Sequence, residues 1–198
     1  MRHATIKWFL LAFIVFLAGN ILAAGADEKR DKYVSLYAGQ FSNTALNEIV
    51  RFGVDLENTY VYVFSLGKEM GRWDDKLALE LEGQVGAYSG GQSHMETNGA
   101  FVLRWLLFPW DRWLDTSFAF GNGLSWASKD PPLEIREGNE HRTSQFLYYI
   151  LVEMAFAVPQ HQDWDVFVRI HHRSSVFGLI DGLYTASNFL GLGVRYHF

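Results

Sequence analysis

From Asp27 to Phe198 the chain has no second long apolar run, yet apolar side chains recur at every second position in one stretch after another. Alternation with a period of two belongs to strands whose two faces meet unlike surroundings. Leu77, Leu79, Leu81, Val85 and Ala87 share one parity, and Lys76, Glu80, Glu82 and Gln84 the other. Phe146, Tyr148, Ile150, Val152, Met154 and Phe156 likewise oppose Gln145, Tyr149 and Glu153. Eight such stretches can be read, near 33–41, 58–67, 75–88, 97–108, 113–126, 143–158, 164–174 and 187–198. A soluble strand usually has five or six residues, whereas a tilted strand crossing a bilayer takes about nine to eleven. The connections 68–74, 109–112 and 159–163 are short and rich in turn formers, while 42–57, 89–96, 127–142 and 175–186 are longer and more polar. Short turns at one rim and long loops at the other predict an all-β fold, an eight-stranded antiparallel transmembrane β-barrel of the outer-membrane type.

Composition agrees with that reading. Seven Trp, nine Tyr and sixteen Phe make a heavy aromatic load, yet mean hydropathy is near zero, as expected where lipid-facing and lumen-facing residues alternate. Trp73, Trp105, Trp110, Trp113, Trp126 and Trp164 fall near predicted strand ends and are expected to form interfacial girdles. A net charge of −5 without any basic block argues against nucleic acid as a partner. The absence of cysteine excludes disulfides, a thiol nucleophile and thiolate metal sites. Ahead of the strands, Arg2 and Lys7 precede the apolar run Trp8 to Ala18 and the small residues Ala24-Gly25-Ala26. That order predicts a signal peptide over 1–26, cleaved before Asp27, with the barrel domain over 27–198. In the last stretch Leu190, Leu192, Val194, Tyr196 and Phe198 alternate with Gly191, Gly193, Arg195 and His197. This row resembles the C-terminal signal read by the barrel-assembly machinery, which makes that machinery an expected partner.

The seventh stretch carries the candidate chemistry. Val166, Val168, Ile170, His172 and Ser174 share one face, and Arg169, His171 and Arg173 the other. The arginines belong in the lumen, where they can meet water and carboxylates such as Glu80, Glu82 or Glu153. The apolar set then faces lipid and carries His172 and Ser174 out with it. Polar groups on that face cost free energy, and less so toward the rim. A serine becomes a useful nucleophile when a base within hydrogen-bond reach takes its proton, and residues i and i+2 of a strand lie on one side. The residues alone leave open a plainer role, with His171 and His172 contacting lipid phosphates at the interface. Adjacent strand residues point apart, so the two histidines make a poor metal pair.

The run Arg169-Ile170-His171-His172-Arg173-Ser174-Ser175, followed by Ser187-Asn188-Phe189-Leu190 and the strand to Phe198, resembles the lipid A 3-O-deacylase family, often labelled acyloxyacyl hydrolase. The resemblance is confined to about the last thirty residues. It implies an outer-membrane barrel that removes the ester-linked 3-acyl chain of lipid A without metal or cofactor, with lipopolysaccharide of the outer leaflet as substrate. By the family's His-x-Ser motif, Ser174 would be the nucleophile and His172 the general base. The family pattern has Asn after the serine, at the oxyanion hole, where this chain has Ser175; a backbone N–H can serve there. It has Glu near the start of the last strand, where this chain has Asn188. An asparagine can orient a histidine but supplies no negative charge. Asp181, acidic and nearby, lies in the preceding loop. The alternatives are a non-catalytic barrel with an adhesive or structural role, and an esterase for another glycolipid or phospholipid.

Overall fold

The computed structural model describes residues 30–198 apart from 50, 52, 136–141, 177 and 181. The expected signal peptide and Asp181 lie outside the described residues. The strands are β1 (Lys32–Ser42), β2 (Leu56–Trp73), β3 (Leu77–Gly90), β4 (Met95–Trp105), β5 (Asp115–Ala127), β6 (Phe146–Ala157), β7 (Trp164–Ser174) and β8 (Ala186–His197). Each pairs antiparallel with the next, and β1 pairs with β8, so the sheet closes on itself and leaves no edge. The backbone bonds between Lys32 and Phe198 complete the seam. A single helical turn, α1 (Leu46–Ile49), sits in the first long loop, and a 3-10 turn, Pro132–Glu134, in the third. Among the described residues no helix is long and apolar enough to cross a membrane, so the strands are the crossing elements.

Three connections differ from expectation, one of them the turn expected at 109–112, which spans 106–114. β2 runs on through Trp73, and the turn is 74–76, with Asp74 and Asp75 in the left-handed region at φ 50° and 53°. The connection expected at 68–74 thus lies almost wholly within β2; Gly67 packs against the Tyr33 ring, which a Cβ would overlap, and a bulge lies between Glu69 and Gly71. The second expected long loop shrinks to 91–94, closed by a hydrogen bond from Tyr88 N–H to the His94 carbonyl at 3.0 Å. His94 stacks on Tyr88, ring centroids 4.1 Å apart, and burial pushes its pKa down to about 4.

The parity read from the sequence is the parity of the barrel. Leu36, Leu81, Phe101, Phe118, Phe120, Leu124, Val168 and Leu192 are exposed on the outside. Trp73, Trp105, Trp110, Trp113 and Trp164 cluster at the rim of short turns, and Trp126 stands at the rim of long loops. Gly121 and Gly123 face inward, where a Cβ on Gly123 would collide with the Gly99–Ala100 backbone; the Gly-Asn-Gly run relieves crowding in a narrow barrel.

The lumen is filled with charge in two neutralising blocks. In the lower one Arg104, Arg169 and Arg195 interleave with Glu80, Glu82 and Glu153, all buried. Arg169 donates to Glu82 at 2.6 Å and to Glu153 at 2.5 Å. Arg104 bridges Glu80 at 2.7 Å and Glu153 at 2.9 Å, and Arg195 reaches Glu153 at 2.5 Å. Arg195 also stands 3.4 Å from Asp165, so the buried charges of this block each have an opposite partner, the condition under which buried charge is tolerated. Nearer the long loops, Arg173 donates to Glu134 at 2.6 Å and stands 3.4 Å from Glu96, itself 2.8 Å from His171. Arg169, His171 and Arg173 thus all point inward as expected. The Arg173 partners lie above the three glutamates anticipated from sequence.

Candidate functional site

β7 turns His172 and Ser174 to the outside and the neighbouring Arg173 to the inside, as strand geometry requires. The register sets His172 opposite Asn188 and Ser174 opposite Ala186 on β8. Cross-strand partners on one face have Cβ atoms about 4.5–5.5 Å apart, close enough for direct contact. His172 Nδ1 and Asn188 Oδ1 are 2.6 Å apart.

The amide orientation follows from its other bond. Asn188 Nδ2 donates to the Thr44 carbonyl at 2.8 Å, so the amide oxygen is the atom presented to the imidazole. A carbonyl oxygen accepts only, and Nδ1 must carry the proton. The neutral ring then holds its lone pair on Nε2, the nitrogen that can act as a base. Thr44 belongs to the loop between β1 and α1, and its backbone N–H donates to Ser42 Oγ at 3.3 Å. Both His172 and Asn188 are buried despite facing outward, because this loop folds over them. Thr44 is a participant that sequence reasoning missed, since nothing in a loop sequence marks which carbonyl will meet a distant amide.

Ser174 is partly buried on the same face, two residues beyond His172. Among the described residues no hydrogen bond joins Ser174 Oγ to His172, so direct contact between the two needs a change of rotamer.

Ser175 does not stand ready as an oxyanion donor. Its backbone N–H donates to the Thr185 carbonyl at 3.1 Å, and its hydroxyl donates to the Leu183 carbonyl at 2.6 Å. Both donors are spent holding the loop 175–185 to itself, because the chain turns sharply at Val176, whose φ is 50°. Ser175 would have to release Thr185 to serve.

A cavity of about 310 Å³ opens at the rim of short turns, lined by Arg30, Arg104, Asp115, Asp165, Arg195 and His197 among others. It is at the opposite end of the strands from His172. The candidate site is therefore an outward surface near the long loops and not a pocket in the lumen. Among the described residues no group of three or more His, Asp or Glu is placed to hold a metal ion.

The fold defines the chain as a small outer-membrane β-barrel, and solved structures of that class resemble it. The outer membrane enzyme PagL matches with a TM-score of 0.56 at 13% identity, over 83% of this chain and 98% of that one. The N-terminal barrel domain of Pseudomonas aeruginosa OprF matches with 0.51 at 12% identity, over 86% and 98%. Neisserial surface protein A matches with 0.50 at 14% identity, over 84% and 97%. At such identities the likeness is one of fold, and the fold carries an enzyme in one case and a surface protein in another. No protein-family model matches the chain, and no curated protein does either.

Proposed function

We propose that this barrel is an esterase of the outer membrane that removes the ester-linked 3-O-acyl chain of lipid A. The observation that carries the reading is the 2.6 Å contact between His172 and Asn188 on the outward face, with Ser174 two residues further along the same row. A base with its tautomer set, a hydroxyl beside it and an orienting amide behind it are the parts of acyl transfer. On the outward face near the rim of long loops, with His172 and Asn188 beneath the first loop and Ser174 partly exposed beside them, they address an ester at the membrane surface. PagL shows that a barrel of this architecture can be an outer membrane enzyme.

In this mechanism Ser174 Oγ attacks the ester carbonyl carbon while His172 Nε2 takes the hydroxyl proton. The tetrahedral intermediate collapses as the C–O bond to the sugar breaks, and the imidazolium returns the proton to the departing sugar oxygen. Water, deprotonated by the same nitrogen, then attacks the acyl-serine, releasing the fatty acid and restoring Ser174. Asn188 holds the ring through Nδ1 but offers no negative charge to the imidazolium, so turnover is expected to be slower than with a carboxylate there.

The test is lipid A mass spectrometry in a Gram-negative host expressing wild type, Ser174→Ala or His172→Ala. Wild type should yield lipid A lacking one hydroxyacyl chain, and both variants should leave it intact. An unchanged spectrum from wild type, with the barrel folded in the outer membrane, favours the second reading of a non-catalytic barrel working through its loops. OprF and Neisserial surface protein A, at similar TM-scores, give that reading its support.

A further inference from the structure

Beside the candidate site the lipid face carries a polar pair that the mechanism does not use. Asn122 is half-buried at the middle of β5 and faces outward, among Phe118, Phe120, Leu124 and Trp126. Tyr148 of β6, also outward and half-buried, donates its hydroxyl to Asn122 Oδ1 at 3.0 Å. The bond leaves the Asn122 amide donors and the tyrosine lone pairs in the hydrocarbon region. Polar groups unmatched there cost several kcal/mol by general measure, roughly. A pair of this kind on a lipid face calls for a ligand that completes it.

The register says where that ligand lies. Asn122 is opposite Ile150, Ile150 is opposite His172, and His172 is opposite Asn188, so one lateral row runs across four strands through both polar groups. Tyr148 is directly opposite Ser174. The polar surface is thus continuous from Asn188 to Asn122. Strands in a sheet are about 4.8 Å apart, which puts Asn122 on β5 roughly 10 Å from the row of Ser174 on β7. A chain whose ester carbonyl sits at Ser174 places its own 3-hydroxyl only two carbons away, too near to reach β5.

We infer that Asn122 and Tyr148 form a second subsite, which hydrogen-bonds a hydroxyl or carbonyl on a neighbouring acyl chain of the same multiply acylated glycolipid. The inference rests on the esterase reading for the identity of the lipid. The pair selects substrates that carry polar groups within their acyl region, and it fixes which ester is presented to Ser174.

The experiment uses the refolded barrel carrying Ser174→Ala, so that bound lipid is retained. It is offered an equimolar mixture of 3-hydroxyacylated lipid A and a disaccharide analogue with plain acyl chains of equal length. Native mass spectrometry reads which lipid stays bound. The expected result is at least a fivefold preference for the hydroxyacylated lipid, lost on adding Asn122→Leu or Tyr148→Phe. Both changes remove polarity from a lipid-facing surface, so the barrel should still fold. An equal preference with and without Asn122→Leu overturns the subsite, as does the lack of any preference. In a barrel with Ser174 intact, Asn122→Leu should raise KM for the hydroxyacylated lipid severalfold with kcat within about twofold. If no variant cleaves lipid but the binding preference persists and depends on Asn122, the subsite stands and the esterase reading falls. If Asn122→Leu cleaves with unchanged KM, the esterase stands and the subsite falls.

Discussion

At the residue scale the site turns on one amide. Asn188 donates to Thr44 with its nitrogen and meets His172 with its oxygen, and each bond depends on the other for its direction. Asn188→Ala removes both and is expected to lower deacylation by tenfold or more. It should also destabilise the barrel by about 1–3 kcal/mol, the usual cost of a buried hydrogen-bonding group left unmatched, read from urea unfolding in vesicles. Asn188→Glu tests the missing charge. With a carboxylate to stabilise the imidazolium that forms in the reaction, the plateau rate of deacylation should rise severalfold, read from initial rates on lipid A in detergent. A plateau lower than wild type would show that the amide bond to Thr44 matters more than charge. His172 and Ser174 could be picked out of the sequence as candidates because strand parity and a short motif are local, whereas Asn188 follows only from the resemblance of the last strand to the family pattern. Asn122 shares the parity of Phe118, Phe120, Leu124 and Trp126, but parity alone does not show its bond to Tyr148, which depends on the register between β5 and β6. The commitment of Ser175 to Thr185 was not legible, because it depends on how a loop closes.

At the element scale the loop between β5 and β6 reaches across the barrel mouth and inserts Glu134 beside β7 and β8. Arg173 donates to its carboxylate at 2.6 Å, Ser187 at 2.9 Å and Thr143 at 3.0 Å. Arg173 lies between His172 and Ser174 in sequence, and Ser187 precedes Asn188, so the loop braces the site from the lumen side. Burial pushes the Glu134 pKa up to about 7, against the pull of Arg173 and with a further push from Glu96. A carboxyl whose folded pKa lies above its unfolded one holds its proton more tightly when folded. Its stabilising contribution is complete below about pH 4.5 and is lost as pH rises through about 7, on the order of 3 kcal/mol in all. Unfolding of wild type and Glu134→Gln at pH 5 and pH 8.5 checks this: the wild type should lose more stability over that interval, and an equal loss in both would assign the titration elsewhere. The strands themselves were readable, since a period of two announces them. Their ends were less so at β2, where charged residues beyond the membrane continue a strand that their chemistry alone would end.

At the scale of the molecule, the interior of fixed charge sets both permeability and stability. Small barrels fill their lumens with side chains, and here the filling is a lattice of ion pairs. Planar bilayer recordings should show no steady conductance; a stable open level would mean that the arginine–glutamate lattice parts. Arg169 holds two carboxylates, and Arg169→Met strands Glu82, whose ion pair among the described residues is with Arg169 alone, while Glu153 keeps Arg104 and Arg195. The expected cost is about 3–5 kcal/mol, visible as a lower urea midpoint, because a buried charge that has lost its partner has no water to turn to. Adding Glu82→Gln should recover part of that loss. The sequence announced that arginines and glutamates would share the lumen, but not that Glu80 would fall to Arg104 or that Arg173 would look upward to Glu134. Those pairings are long-range and are decided by register around the whole ring.

The adjacent histidines of β7 give that ring a further task. If β7 inserted one residue out of step, His171 would take the outward place of His172, and an imidazole would still stand on the lipid face. The doublet alone cannot tell correct insertion from incorrect. Its flanking arginines can, for the same slip would turn Arg169 and Arg173 into hydrocarbon, at about 2–4 kcal/mol each near the midplane and less toward the rim. A barrel misaligned in this way therefore costs more free energy to insert than the aligned one, whichever histidine stands toward lipid.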